Sequence, residues 1–140
     1  MLQIGYVIIC EDVIKDGNQT IIKKPLPIIA PLNLPGNFSF KVAFSLHNLN
    51  EDDFGKENTV RILFKDENGK KVFDTDKLKL RTDASNKPGD SMVEIAEADL
   101  GINNIDLFEE GIYTLILTVN NESAELKIPV RARGKTHESR

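Results

Sequence analysis

The chain of 140 residues has no tryptophan, two tyrosines, two histidines and one cysteine. Each scarcity removes a class of function. A lone cysteine, Cys10, excludes an intrachain disulfide. It sits in the apolar run from Ile4 to Ile14, which reads as the site of a buried, inert thiol. A nucleophilic thiol needs a neighbouring group that lowers its pKa. Cys10, His47 and His137 lie far apart in the chain, so they make no conventional zinc set. No Gly-x-Ser-x-Gly turn accompanies His47, and neither a P-loop nor a dinucleotide fingerprint occurs. The missing tryptophan also argues against carbohydrate recognition, which leans on exposed aromatic platforms. No stretch approaches the roughly 20 apolar residues of a membrane span. The N-terminus lacks the basic start of a signal peptide, and Glu11-Asp12 interrupts its apolar run. The expectation is a cytoplasmic protein that makes no membrane contact. The sequons at Asn18, Asn37 and Asn121 are then chance matches.

Charge of one sign is scarce too. Eighteen basic residues stand against 22 acidic ones, for a net charge of −4. This mild excess keeps a protein soluble and argues against nucleic acid or an anionic membrane as partner. With 40% hydrophobic and 29% charged residues, the chain has the composition of an ordinary globular protein. Its length suits one domain that buries about two-thirds of its unfolded surface. We place that domain at residues 1–132, followed by a flexible tail at 133–140.

What is present is alternation. Phe38, Phe40, Val42, Phe44 and Leu46 fall on one side of an extended chain, and Ser39, Lys41, Ala43, Ser45 and His47 on the other. Three of the seven phenylalanines sit in this stretch, which reads as the central strand. Burying its five large side chains is worth on the order of 10 kcal/mol before chain entropy is counted. Upstream, Gln3–Ile14 reads as a strand apolar on both faces, with a turn at Asp16-Gly17-Asn18 and a return at Gln19–Lys23. Lys24–Gly36, with four prolines, reads as an extended crossover with apolar teeth at Leu26, Ile28, Ile29, Leu32 and Leu34. Downstream, Thr59–Lys65 and Lys70–Asp74 flank Asn68-Gly69, the signal of a type I′ hairpin. A short edge segment follows at Lys77–Arg81. Ser91–Ala98 reads as a strand with Val93 and Ile95 inward and Ala96 outward. Asp99–Phe108 lacks clean periodicity and reads as a helical turn or a plugging loop. Gly111–Val119 and Ala124–Val130 close the chain as two strands, with Pro129 placing the last one on an edge. The fold expected is all-β: an antiparallel, immunoglobulin-like β-sandwich of about eight strands.

Gly111-Ile-Tyr113, followed by Leu115, Leu117 and Val119, a tight turn and a closing strand, resembles the penultimate hairpin of many immunoglobulin-like domains. That resemblance implies a corner hydrogen bond from the tyrosine. The whole chain, with Glu11-Asp12 after its first strand, a proline-rich connector, Pro35-Gly-Asn-Phe38 and Asp66-Glu-Asn-Gly69, is similar to a family of small uncharacterised bacterial proteins. The resemblance implies no assigned function, no cofactor and no catalytic residues.

Three functional readings remain. The favoured one is a non-enzymatic, intracellular interaction or structural module, binding an unknown protein or itself through an exposed edge strand. Its candidate surface combines Asp52, Asp53 and Phe54 of the polar 50–58 loop with the basic stripe Lys77, Lys79 and Arg81. Lone aromatic residues in polar loops are frequent interface anchors. The alternative is a small-ligand or calcium module using the acidic 50–58 loop. An EF-hand register fails there, because Phe54 takes the fifth ligand slot and Arg61 the twelfth. An enzyme would need a carboxylate pair alone. No catalytic, cofactor or metal residue is assigned.

Overall fold

The computed structural model describes residues 2–17, 19–48, 57–81 and 94–133 and places nine strands in them. They are β1 (Leu2–Asp16), β2 (Gln19–Pro25), β3 (Gly36–Asn48), β4 (Glu57–Lys65), β5 (Lys71–Asp74), β6 (Leu78–Arg81), β7 (Glu94–Leu107), β8 (Gly111–Val119) and β9 (Glu122–Val130). One sheet has the order β2-β1-β3-β7. The other has the order β5-β4-β8-β9, with β6 beside β4 in line with β5. Every ladder is antiparallel. The protein is an all-β sandwich.

The core lies where the alternation placed it. Phe40, Val42, Phe44 and Leu46 of β3 pack against Val60, Ile62 and Phe64 of β4 and Tyr113, Leu115, Leu117 and Val119 of β8. A line of rings crosses between the sheets. Centroids are 6.3 Å apart for Phe38 and Phe40, 5.8 Å for Phe40 and Phe64, and 5.3 Å for Phe64 and Tyr113.

Two bulges decide which residues the first sheet shows to solvent. On one side of β3, Ile4 pairs with Leu46 and Val7 with Phe44, so Gly5 and Tyr6 together oppose Ser45. On the other side, Phe40 pairs with Ile102 and Phe38 with Ile105, so Asn103 and Asn104 oppose Ser39. Each bulge adds one residue to a period-2 pattern and thereby exchanges the faces beyond it. In both cases a serine of β3 accepts the freed backbone N–H. Ser45 Oγ lies 2.9 Å from the nitrogen of Tyr6, and Ser39 Oγ 2.9 Å from that of Asn104, whose φ is 55°. Gly5 is required at its bulge, since a Cβ there would sit 2.3 Å from Ser45 Oγ and 2.7 Å from His47 Nε2.

These bulges correct two expectations. Asp99–Phe108 is neither a helical turn nor a loop, because β7 runs on to Leu107. Its core residues are Ala96, Ala98, Leu100 and Ile102 up to the bulge, then Ile105 and Leu107 beyond it, and that change of parity hid the strand. Ala96 faces inward, opposite Leu46, rather than outward. Likewise β1 is apolar on both faces because Ile4, Val7 and Ile9 face the core while Ile8 and Cys10 face away.

The Asp66–Gly69 loop is not a type I′ turn, which needs positive φ at both central residues. Only Gly69, at 84°, has it, and the loop closes through Asp66 N to Lys70 O at 2.9 Å. The connector crosses to the second sheet as expected. Ile29 is fully buried and bridges Val130 in parallel, while Leu32 stays 67% exposed. Residues 134–140 of the tail, and 91–93 of the expected Ser91–Ala98 strand, lie outside the described residues.

Candidate functional site

The second bulge builds a cleft. Between β5, at the edge of one sheet, and the end of β7, at the edge of the other, lies an opening of about 540 Å³. Phe73, Ile105 and Tyr113 supply its apolar lining, and Phe108 stands on it 65% exposed. The β4–β5 loop contributes Asp66, Asn68 and Lys70, and β7 contributes Asn103, Asn104 and Asp106.

Local hydrogen bonds fix most of these groups. Asp66 Oδ1 accepts the N–H of Asn68 at 2.9 Å and of Lys70 at 2.8 Å, which shapes the loop. The Asn37 side-chain amide donates to Asn104 O and Asp106 Oδ1, both at 3.1 Å, holding the bulge against β3. The Tyr113 hydroxyl donates to Glu109 O at 2.6 Å, the corner bond that the resemblance to immunoglobulin-like hairpins implies. Burial pushes the Tyr113 pKa up. Beside the cleft, Asp74 takes two hydrogen bonds from Arg61, at 2.9 and 2.6 Å, and one from Lys71 at 3.0 Å. The Arg61 bond above all holds its carboxyl well below the usual range. The cleft thus presents amides, ammonium groups and an exposed ring.

A second polar cluster covers the outer face of the first sheet. The bulge at Gly5 turns Tyr6 outward, and its hydroxyl donates to Glu97 Oε2 at 2.5 Å. Burial, then this bond, raises the Tyr6 pKa. Lys41 pairs with Asp12 at 3.0 Å. Cys10 is buried beneath this layer, and burial raises its pKa. Ser45 and His47 both approach Gly5, but Ser45 is 2% exposed and its oxygen is engaged by Tyr6.

The residues singled out from sequence fall elsewhere. Asp52, Asp53 and Phe54, and with them most of the calcium loop, lie outside the described residues. Lys77 and Lys79 are exposed at β6, and of Arg81 only the backbone is described. Lys79 Nζ sits 3.8 Å from Glu57 Oε2, both exposed, an arrangement worth little. β6 pairs with β4 at Glu57–Val60 and β5 at Leu63–Lys65, so the stripe and the cleft occupy opposite ends of one edge. Sequence reasoning missed Phe108, the two asparagines and the Tyr6–Glu97 pair. The adjacent Asn103-Asn104 in an apolar pattern was the available signal for a bulge.

Fold and cleft together define a two-sheet β-sandwich with an open side. The chain belongs to the family of unknown function DUF6941, whose model matches residues 5–132. No curated protein matches it. Among solved structures it is similar to the Pseudomonas fluorescens alkylpurine DNA glycosylase AlkC, bound to DNA containing an abasic site analog. The two share 13% identity with a TM-score of 0.49, over 94% of this chain and 30% of that one. The partner expectation is corrected: nucleic acid was excluded on net charge alone, and that exclusion is withdrawn, the matched chain being one that is bound to DNA. The physical reason is that a whole-chain sum does not fix the sign of any one face. No helix among the described residues is long and apolar enough to cross a membrane.

Proposed function

We propose that this chain is a non-enzymatic interaction or structural module of the bacterial cytoplasm, whose contact site is the cleft between β5 and β7. The observation that carries this reading is Phe108, a large apolar side chain 65% exposed at a cleft of about 540 Å³. Exposed aromatic residues beside concave surfaces are the usual anchors of interfaces. The cleft runs between two strand edges, which suits an extended peptide segment with alternate side chains directed inward. Asp66 and Asp106 hold backbone and amide donors, which supports positioning roles rather than proton transfer. The Tyr113 corner bond supports an immunoglobulin-like reading of the sandwich.

The test is affinity capture from lysate with the tagged chain, beside a Phe108→Ser control of equal thermal stability. A protein captured by the natural chain and lost with the control supports the reading. An identical capture profile for the two chains overturns the assignment of the cleft.

A further inference from the structure

The first sheet ends in two strand edges of opposite charge. β2 carries Lys23 and Lys24 at one end, and β7 carries Glu97 and Asp99 at the other. Among the described residues no strand pairs with the outer edge of either. An unpaired edge presents a row of backbone donors and acceptors to any complementary strand. Through the alternating ladders β2-β1-β3-β7, β2 and β7 run in opposite directions. Setting the β7 edge of one copy against the β2 edge of the next therefore continues the sheet as an antiparallel ladder.

We infer that this chain assembles head to tail with further copies of itself through a β2–β7 ladder between molecules. The inference rests on the interaction-module reading and gives it a partner. One register fits the side chains. Lys23 lies opposite Asp99 of the neighbour, which places Ile22 opposite Leu100 and Ile21 opposite Gly101. Ile21 is 41% exposed and Gly101 has no side chain, so the one fills the space the other leaves. Lys23 follows Asp12 in the register of β1 and β2, and Asp99 follows Ala43 in that of β3 and β7, so both belong to the sheet's outer face. β7 pairing with a second β7 would set its acidic residues against each other, so like edges repel and unlike edges attract. Such an interface is heterologous, and it closes into a ring or extends into a filament.

Sedimentation velocity of the full chain across a concentration series tests this. Species larger than the monomer are expected, growing with concentration and shrinking as salt screens the charge pairs. Lys23→Glu and Asp99→Lys, each alone, are expected to sediment as monomers, and an equimolar mixture of the two to recover the large species. Gly101→Arg is a second variant. A Cβ there makes only ordinary contact with the Asn103 side chain and φ is not positive, and the arginine fills the place of the neighbour's Ile21. A natural chain that stays monomeric throughout overturns the inference, as does a mixture of the two charge variants that stays monomeric although each is folded. A monomer that still captures a protein through Phe108 would sink the assembly and leave the cleft reading standing.

Discussion

Replacing each of the two serines that cap the bulges separates hydrogen bonding from burial. Ser45 is 2% exposed and accepts the backbone N–H of Tyr6, while Ser39 is exposed and accepts that of Asn104. Ser45→Ala leaves a donor in a dry place, and an unsatisfied buried donor costs about 1–3 kcal/mol. Ser39→Ala lets water replace the hydroxyl, so its cost is at most about 0.5 kcal/mol. Unfolding entropy near 2.1 cal/mol/K per residue gives a chain of this length about 0.3 kcal/mol/K, so each kcal/mol moves Tm by about 3 °C. Ser45→Ala is thus expected to lower Tm by about 3–10 °C, and Ser39→Ala by less than about 2 °C. Calorimetry and urea titration at unchanged m-value measure both. Equal losses for the two serines, or none for Ser45, would refute the role given to burial.

Gly5→Ala puts a Cβ 2.3 Å from Ser45 Oγ, and overpacking of this kind costs about 1–3 kcal/mol, read as a fall in urea midpoint. At high pH, Tyr6 and Tyr113 have folded-state pKa values raised above the ordinary tyrosine range. The stability they contribute is complete below about pH 10 and is lost as pH rises through the raised values. Melts from pH 8 to 12 are expected to show the onset of that loss above about pH 10, with a shallower slope in Tyr6→Phe. Asp74 has the opposite sign, because its depressed pKa gives stability present above the ordinary carboxylate range and lost as pH falls through the depressed value. Asp74→Asn is expected to flatten the acid limb of the same profile. Cys10, buried and raised in pKa, is expected to react with a thiol reagent only at the unfolding rate, and fast labelling in native buffer would contradict its placement.

Much of the sandwich was legible because alternation survives wherever a strand is unbroken. Phe40 to Leu46, Val60 to Phe64, Tyr113 to Val119 and the Pro129 edge strand were all visible in the pattern of large apolar residues. The corner bond of Tyr113 was implied by resemblance and is present. β7 was not legible beyond Ala98, because the residue added at Asn103-Asn104 moves its core positions from even to odd numbers. Such a change of parity depends on pairing with β3, which is a long-range property. The cleft was invisible for a similar reason. Its walls, the β4–β5 loop and the end of β7, are about forty residues apart in the chain and meet only at the edges of two sheets. Net charge was a poor guide to partners, since a whole-chain sum does not fix the sign of any one face.

The account turns on the bulges, which set the faces of β1 and β7 and with them the cleft and the charged edges. Cross-strand nuclear Overhauser contacts between β3 and β7 test this most directly. The predicted result is contact of Leu46 with Ala96 and of Phe38 with Ile105. An unbroken register from Ala96, setting Ile105 opposite Asn37, would contradict it.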